Sequence, residues 1–170
     1  MAKRKQAPSQ DTRTRIADAA LALFNADGTH AVSTRHVAAK LGISPGNLYY
    51  HFGNKEEIVL ELYERVEREL LEALAPPEAA LPSFDVVLDY PDRIFAHLWE
   101  YRFFYRDLTS LLQDVPGLKE RYRGLAERVQ ASSQRIFRKM VDQGWMEASD
   151  EQLELLSANA WIILSHWFTY

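Results

Sequence analysis

The side chains best suited to chemistry lie together between Ser33 and Lys55, in the run STRHVAAKLGISPGNLYYHFGNK. Four of them carry groups that hydrogen-bond to bases or phosphates: Asn47, Tyr49, Tyr50 and His51. Leu48 and Phe52 are four residues apart, so they can form the buried side of a short helix and leave its other side outward. A helix with small, amide and aromatic residues on its outer face is suited to insertion into the DNA major groove.

Two helices and a tight turn must position these side chains. The apolar side of the first helix is formed by Val37, Ala38 and Leu41. Gly42 can end that helix in a left-handed conformation, Ser44 is a good N-cap for the next helix, and Pro45 fits its first position. The pattern predicts a helix-turn-helix. The alternative is an ordinary exposed helical hairpin, whose outer face would usually carry Lys, Glu and Gln.

The segment from about Thr12 to Val59 resembles the DNA-binding domain of the TetR family of bacterial transcriptional regulators. The matching residues include Arg15-Ile16-Ala17, Leu23-Phe24, Gly28, Ser33-Thr34-Arg35, Val37-Ala38 and the run LGISPGNLYYHFGNKEE, which is long and specific. The resemblance implies a cytoplasmic homodimer that binds a palindromic double-stranded DNA operator. It further implies a repressor released by a small-molecule effector, with no cofactor.

The resemblance also implies which residues contact DNA. Base edges are assigned to Pro45, Gly46, Asn47 and Tyr50. Phosphate contacts are assigned to Ser33, Thr34, Tyr49, His51 and Lys55. Arg35, at the start of the first motif helix, carries a cation that meets phosphate and can reach a base. Ser44 is the remaining residue assigned to DNA contact. Among these residues, Asn47 reads a base through its amide while Gly46 allows close approach.

The rest of the chain is predicted to be helical throughout. Apolar periodicity predicts helices from about Asp11 to Ala26, from Asn54 to about Ala75, from Pro91 onward, from about Leu118 to Gln143 and from about Asp150. The stretch 78–90 is interpreted as a connector. The fold class is therefore all-α. Together with the resemblance, this implies a three-helix helix-turn-helix head joined by a long helix to a helical effector-binding and dimerisation domain. The predicted domains are a flexible basic arm (1–10), the helix-turn-helix domain (11–56) and the body (57–170).

The distribution of charge along the chain supports the division into a head and a body. Residues 1–55 contain eight Lys and Arg against three Asp and no Glu, a net charge of +5, so the remaining residues must carry −9 to give the chain's −4. A basic head on an acidic body is expected of a protein whose head binds a polyanion. The chain has no cysteine, which excludes disulfides and thiolate metal sites. We expect no signal peptide and no membrane-spanning segment.

An aromatic cluster in the body has two interpretations, plain core or the wall of a small-molecule pocket. The pocket interpretation assigns Phe95, Leu98, Trp99, Phe103, Phe104, Leu108 and Tyr122. Arg102 and Arg106 could clamp an anionic ligand or simply pair with Glu100 or Asp107.

The end of the chain is apolar around much of its helix, which should therefore be buried. By the resemblance, a dimer interface is expected at Leu156, Ala160, Ile163, Leu164, Trp167 and Phe168. Family members usually dimerise through their last two helices, and only one is obvious here. Either a further helix is missing from the sequence, or the dimer is built differently.

Catalysis is not expected. The five histidines have no ligand-spaced partner, so no metal site is predicted. The sequence has neither a Gly-rich phosphate loop nor a nucleophile–base motif, and Ser165 and His166 should point apart as helix neighbours.

Two rival functions remain. One is an activator, or a DNA-binding protein regulated by a protein partner with no effector. The other is an interaction module that never binds DNA, which the basic head and outward Asn47, Tyr50 and His51 disfavour.

Overall fold

The structure is a computed structural model that describes residues 10–166. Over this range the chain forms helices and no strand. The helices are α1 (Gln10–Asp27), α2 (Thr34–Leu41), α3 (Pro45–His51), α4 (Lys55–Ala73), α5 (Asp85–Glu100), α6 (Arg102–Arg106), α7 (Leu108–Asp114), α8 (Leu118–Asp142) and α9 (Asp150–His166). The predicted all-α fold class is confirmed. The proposed basic arm, Trp167 and Phe168 lie outside the described residues.

The chain divides into two compact units after Glu64, and α4 contributes residues to both. The first unit has a core formed by one apolar side of each of its helices. Fully buried members of this core are Ile16, Ala20, Phe24, Val37, Leu48, Phe52 and Ile58. Because α2 and α3 are each only two turns long, they depend on this packing for their stability.

The second unit is built around aromatic side chains and the long helix α8, which packs along α9. Phe103, Phe104 and Tyr105 are almost completely buried. Apolar residues of α8 complete the core: Leu118, Leu125, Val129 and Ile136. Two arginines of α8, Arg121 and Arg128, form ion pairs with Glu67.

Helix α5 begins six residues before the predicted start at Pro91. A proline inside a helix removes one hydrogen bond and is usually a boundary, which is why the sequence pattern favours a start there. Burial of Tyr90 overrides that preference, since its hydroxyl donates to the Ala75 carbonyl at 3.2 Å. Arg93 lies over the same ring, 4.4 Å from its centroid. The end of the predicted connector is therefore helix.

Candidate nucleic-acid interface

The start of α2 is fixed by two reciprocal hydrogen bonds between Ser33 and His36. The Ser33 hydroxyl accepts from the His36 backbone N–H at 3.4 Å, and His36 Nδ1 accepts from the Ser33 backbone N–H at 3.3 Å. This is a capping box with an imidazole in the position usually held by Glu or Gln. At the other end, Gly42 adopts a left-handed φ of 67° and closes the helix, as the sequence predicts.

Helix α3 begins in the way that its sequence predicts. The Ser44 hydroxyl accepts from the Asn47 backbone N–H at 3.1 Å, and Pro45 occupies the first turn. Leu48 is only 1% exposed and anchors the helix to the core of the first unit. The remaining positions before His51 are exposed: Pro45, Gly46, Asn47, Tyr49 and Tyr50.

The side chains on the exposed face of α3 are not part of the core of the unit. Tyr49 and Tyr50 are 53% and 61% exposed, which is unusual for aromatic side chains of this size. A Cβ built on Gly46 would meet only the Ser44 hydroxyl, at 4.0 Å, so the protein itself leaves room for a side chain there. The packing of the unit therefore does not require glycine at this position.

One contact links the expected phosphate-binding residues of the two motif helices. The Tyr49 hydroxyl lies 3.5 Å from Thr34 Oγ1, which is the limit of a hydrogen bond. The neighbouring side chains Ser33 and Arg35 are exposed at the same end of α2. The start of α2 and the outer side of α3 thus form one polar surface.

Lys55 has a structural bond as well as a charge. Its ammonium group donates to the Thr29 carbonyl at 2.8 Å, joining the start of α4 to the loop after α1. Just before it, the Asn54 side chain accepts from the Glu57 backbone N–H at 2.8 Å, so the predicted cap forms. The Glu57 carboxylate in turn accepts from the Gly53 N–H at 2.7 Å. Lys55 is therefore held at a helix N-terminus, where backbone N–H groups and the dipole also attract anions.

Arg13 of α1 positions α3, a role that the sequence did not reveal. Its guanidinium donates to the His51 carbonyl at 2.6 Å and pairs with Glu61 at 2.8 Å. The same group lies over the Phe52 ring, 4.1 Å from the centroid. The last carbonyl of a helix is negatively polarised, so a cation there is stabilising. These partners lie 38 to 48 residues away in sequence, and no local pattern could identify them.

The structure separates the residues expected to form an effector pocket. Phe95 and Leu98 line a cavity of about 240 Å³ in the second unit. Leu108 and Tyr122 line a different, more polar depression, while Phe103 and Phe104 are core residues. Trp99 is 64% exposed, with the Arg102 guanidinium 4.8 Å from its ring centroid. Arg106 forms an ion pair with Asp107, which is the simpler of the two interpretations given for this arginine.

His97 lies in a cluster of buried polar groups in the second unit. Its Nε2 lies 2.9 Å from the Tyr105 hydroxyl, and its Nδ1 is buried without a hydrogen-bond partner among residues 10–166. Burial lowers the pKa of His97 from 6.5 to about 4, so the imidazole is neutral at pH 7. One turn later, the Tyr101 hydroxyl donates to Glu69 at 2.8 Å. Burial, and then that carboxylate, raise the pKa of Tyr101.

The expectation that Ser165 and His166 point apart is wrong. The Ser165 hydroxyl lies 2.8 Å from His166 Nδ1, and both groups also bond to the Ile162 carbonyl of their own helix. Both side chains turn back along the helix toward the same carbonyl, which brings them together. Of the expected interface residues of α9, Leu156 and Ile163 are exposed, Ala160 is half-buried and Leu164 is buried.

In residues 10–166 no cluster of three His, Cys, Asp or Glu side chains has the spacing of a metal site. Within the same part of the chain, no helix has the length and hydropathy needed to span a membrane.

Comparison with known proteins places both units in one family. Residues 16–62 match the family described as bacterial regulatory proteins, tetR family, and residues 65–170 match that described as bacterial transcriptional repressor, TetR. A TetR-family transcriptional regulator from Marinobacter aquaeolei is 38% identical with a TM-score of 0.88, over 93% of this chain and 78% of that one. The TetR family regulator PfmR from Thermus thermophilus is 26% identical with a TM-score of 0.71, over 91% and 84%.

Among curated relatives, the HTH-type transcriptional regulator UidR of Escherichia coli is 31% identical over 84 residues. That match covers 49% of this chain and 43% of UidR, so it spans less than half of either protein.

Proposed function

Because the chain belongs to the TetR family of bacterial transcriptional regulators, we propose that it binds a specific DNA operator through α3 and represses transcription. The observation that carries this proposal is the outer face of α3, where Asn47, Tyr49 and Tyr50 project from a helix anchored by Leu48. Exposed amide and phenol groups on a rigid short helix can read base edges and phosphates in the major groove. Its site of action is the cytoplasm, where the DNA lies.

The contacts divide by chemistry. Asn47 and Gly46 face base edges, with Pro45 and Tyr50 beside them. The phosphate-binding set surrounds them: Ser33, Thr34, Arg35, Ser44, Tyr49, His51 and Lys55. Lys55 suits phosphate because its ammonium is already fixed by the Thr29 carbonyl, which limits the entropy lost on binding.

We propose that the protein acts as a homodimer on a palindromic operator. The two copies of α3 would then reach half-sites about 34 Å apart, one turn of DNA. Support comes from α9, whose Leu155, Leu156, Ile162 and Ile163 are 40–62% exposed. Leu156→Glu should place a charge in the interface and convert the dimer to monomer in sedimentation at fixed concentration. A variant that stays dimeric and folded would place the interface elsewhere.

We also propose that an effector in the second unit releases the DNA. Leu74, which directly follows α4, lines the cavity beside Phe95 and Leu98, and α4 begins in the first unit at Lys55. An occupant that displaces the end of α4 can therefore bias the spacing of the two α3 helices in a dimer. Switching from mostly bound to mostly released requires about 5 kcal/mol of preference for one form.

The test of DNA binding is fluorescence anisotropy with the full chain and a duplex from upstream of its own gene. A random duplex of equal length is the control, and both are titrated with salt. We expect the upstream duplex to bind at least ~10³ times more tightly. Equal, weak binding to both duplexes by a protein shown to be dimeric would contradict the proposal for that region of DNA.

A further inference from the structure

The cavity beside Phe95 and Leu98 in the second unit is lined almost entirely by apolar side chains. It is bordered by α5, α8, α9 and the residue after α4, and its volume is about 240 Å³. Leu98 and Val129 are buried at its base, whereas Phe95 and Ile163 are 43% and 62% exposed at its rim. The cavity is therefore a concave site with an opening, and its floor belongs to the core of the unit.

Hydrogen-bonding groups are few in this lining. Ser133 of α8 and Trp161 of α9 are the lining residues that carry a polar side-chain group, and they are 6% and 9% exposed. None of the described lining residues is charged. An ionised carboxylate, phosphate or ammonium group placed here would lose its hydration without gaining a counter-charge, which is strongly unfavourable.

Because the cavity has an opening, its volume limits only the part of an occupant that it encloses. A dry cavity of about 150 Å³ accepts benzene. Pockets for drug-sized ligands begin at roughly 300 Å³. A cavity between these sizes fits one ring with a short alkyl chain, or a short branched chain, of about ten non-hydrogen atoms.

We propose that the effector places a neutral, mainly apolar part of this size in the cavity, with a hydroxyl group that hydrogen-bonds to Ser133. This inference rests on the proposed effector control, and it adds the chemical class of the effector and the residue that orients it. The apolar part contacts Leu98 and Val129, and contact with Leu74 couples occupancy to the end of α4.

The test is isothermal titration calorimetry on the full chain with three probes. They are 4-propylphenol, propylbenzene and 3-(4-hydroxyphenyl)propanoate, which differ in the hydroxyl and in the charge. We expect 4-propylphenol to bind once per chain and the anion to bind at least ten-fold more weakly. Ser133→Ala should weaken 4-propylphenol roughly five-fold and leave propylbenzene unchanged, because only the phenol loses a hydrogen bond.

Ala160→Phe provides the occupancy test, since Ala160 lines the cavity and a phenyl group would fill it. The matched control is Ala96→Phe, at an exposed position of α5 outside the lining. Ala160 is also an expected interface residue, so both variants are compared with the wild type at a concentration at which sedimentation gives the same oligomeric state. Binding should disappear in the first variant and persist in the second. The inference is overturned if no neutral probe binds, if the anion binds equally well, or if Ala160→Phe binds normally. Operator affinity measured without any probe reports separately on the proposed DNA-binding function.

Discussion

The buried imidazole of His97 should make the protein less stable as the pH falls below 7. In the folded protein its pKa is about 4, against 6.5 for an exposed histidine. Between these values the unfolded chain binds a proton and the folded chain does not, so lowering the pH favours unfolding. A histidine paired with a carboxylate would have the opposite effect, because its raised pKa makes a lower pH favour the folded state.

The size of the effect follows from the two pKa values. At pH 7.5 the imidazole is almost unprotonated in both the folded and the unfolded state. The cost of His97 to the free energy of unfolding is then close to zero. At pH 5 the unfolded state is almost fully protonated, and the cost is about 2 kcal/mol. Below pH 4 it levels off at roughly 3 kcal/mol, a large part of the stability of a typical domain.

The measurement is urea unfolding of the wild type and of His97→Gln at pH 7.5 and pH 5, at one protein concentration. Glutamine retains a group able to hydrogen-bond to Tyr105 but cannot bind the proton. The carboxylates titrate in both proteins, so their contribution cancels in the comparison. We expect the wild type to lose about 2 kcal/mol more than the variant. Equal losses would refute the reasoning, because His97 would then titrate alike in the folded and unfolded states.

Four substitutions in the first unit test the proposed DNA contacts and the positioning of α3. Gly46→Ala should leave the thermal midpoint unchanged or raise it slightly, because the site has room and alanine favours helix. The same substitution should weaken operator binding in anisotropy assays. Unchanged affinity would mean that the DNA does not approach Gly46 closely. Asn47→Ala should cost roughly 1–3 kcal/mol on the operator and much less on random DNA, whereas Lys55→Ala should weaken both and reduce the salt slope by about one. Equal ratios in these two variants would contradict the division of roles. Arg13→Ala should lower both the thermal midpoint and operator affinity, while loss of neither would show that its contacts to α3 are dispensable.

The short helices of the first unit could be predicted because their signals are local. Gly42, Ser44 and Pro45 each fix the backbone within a few residues, and the structure follows them. Arg13 could not be identified in this way, since its partners are distant in sequence. Its contacts exist only once the three helices have packed.

The aromatic cluster of the second unit was harder to interpret for a different reason. Trp99 and Phe104 fit a similar apolar periodicity, but one is 64% exposed and the other is fully buried. The helix breaks between them at Tyr101, so the direction of the apolar side changes there. A sequence pattern that assumes a continuous helix cannot anticipate this change. Pro91 misleads in the opposite sense, because the helix continues through it.

The separation of anchoring and exposed residues in α3 has a consequence for how binding specificity can evolve. Leu48, the Ser44 cap and the contacts of Arg13 hold the helix, whereas Gly46, Asn47 and Tyr50 contribute little to packing. Substitutions on the outer face therefore carry a small folding penalty and can accumulate without loss of the protein. Under the proposed role of α3, gene duplicates can acquire new target sequences through changes on this face, and a designer can randomise the same positions on an intact scaffold.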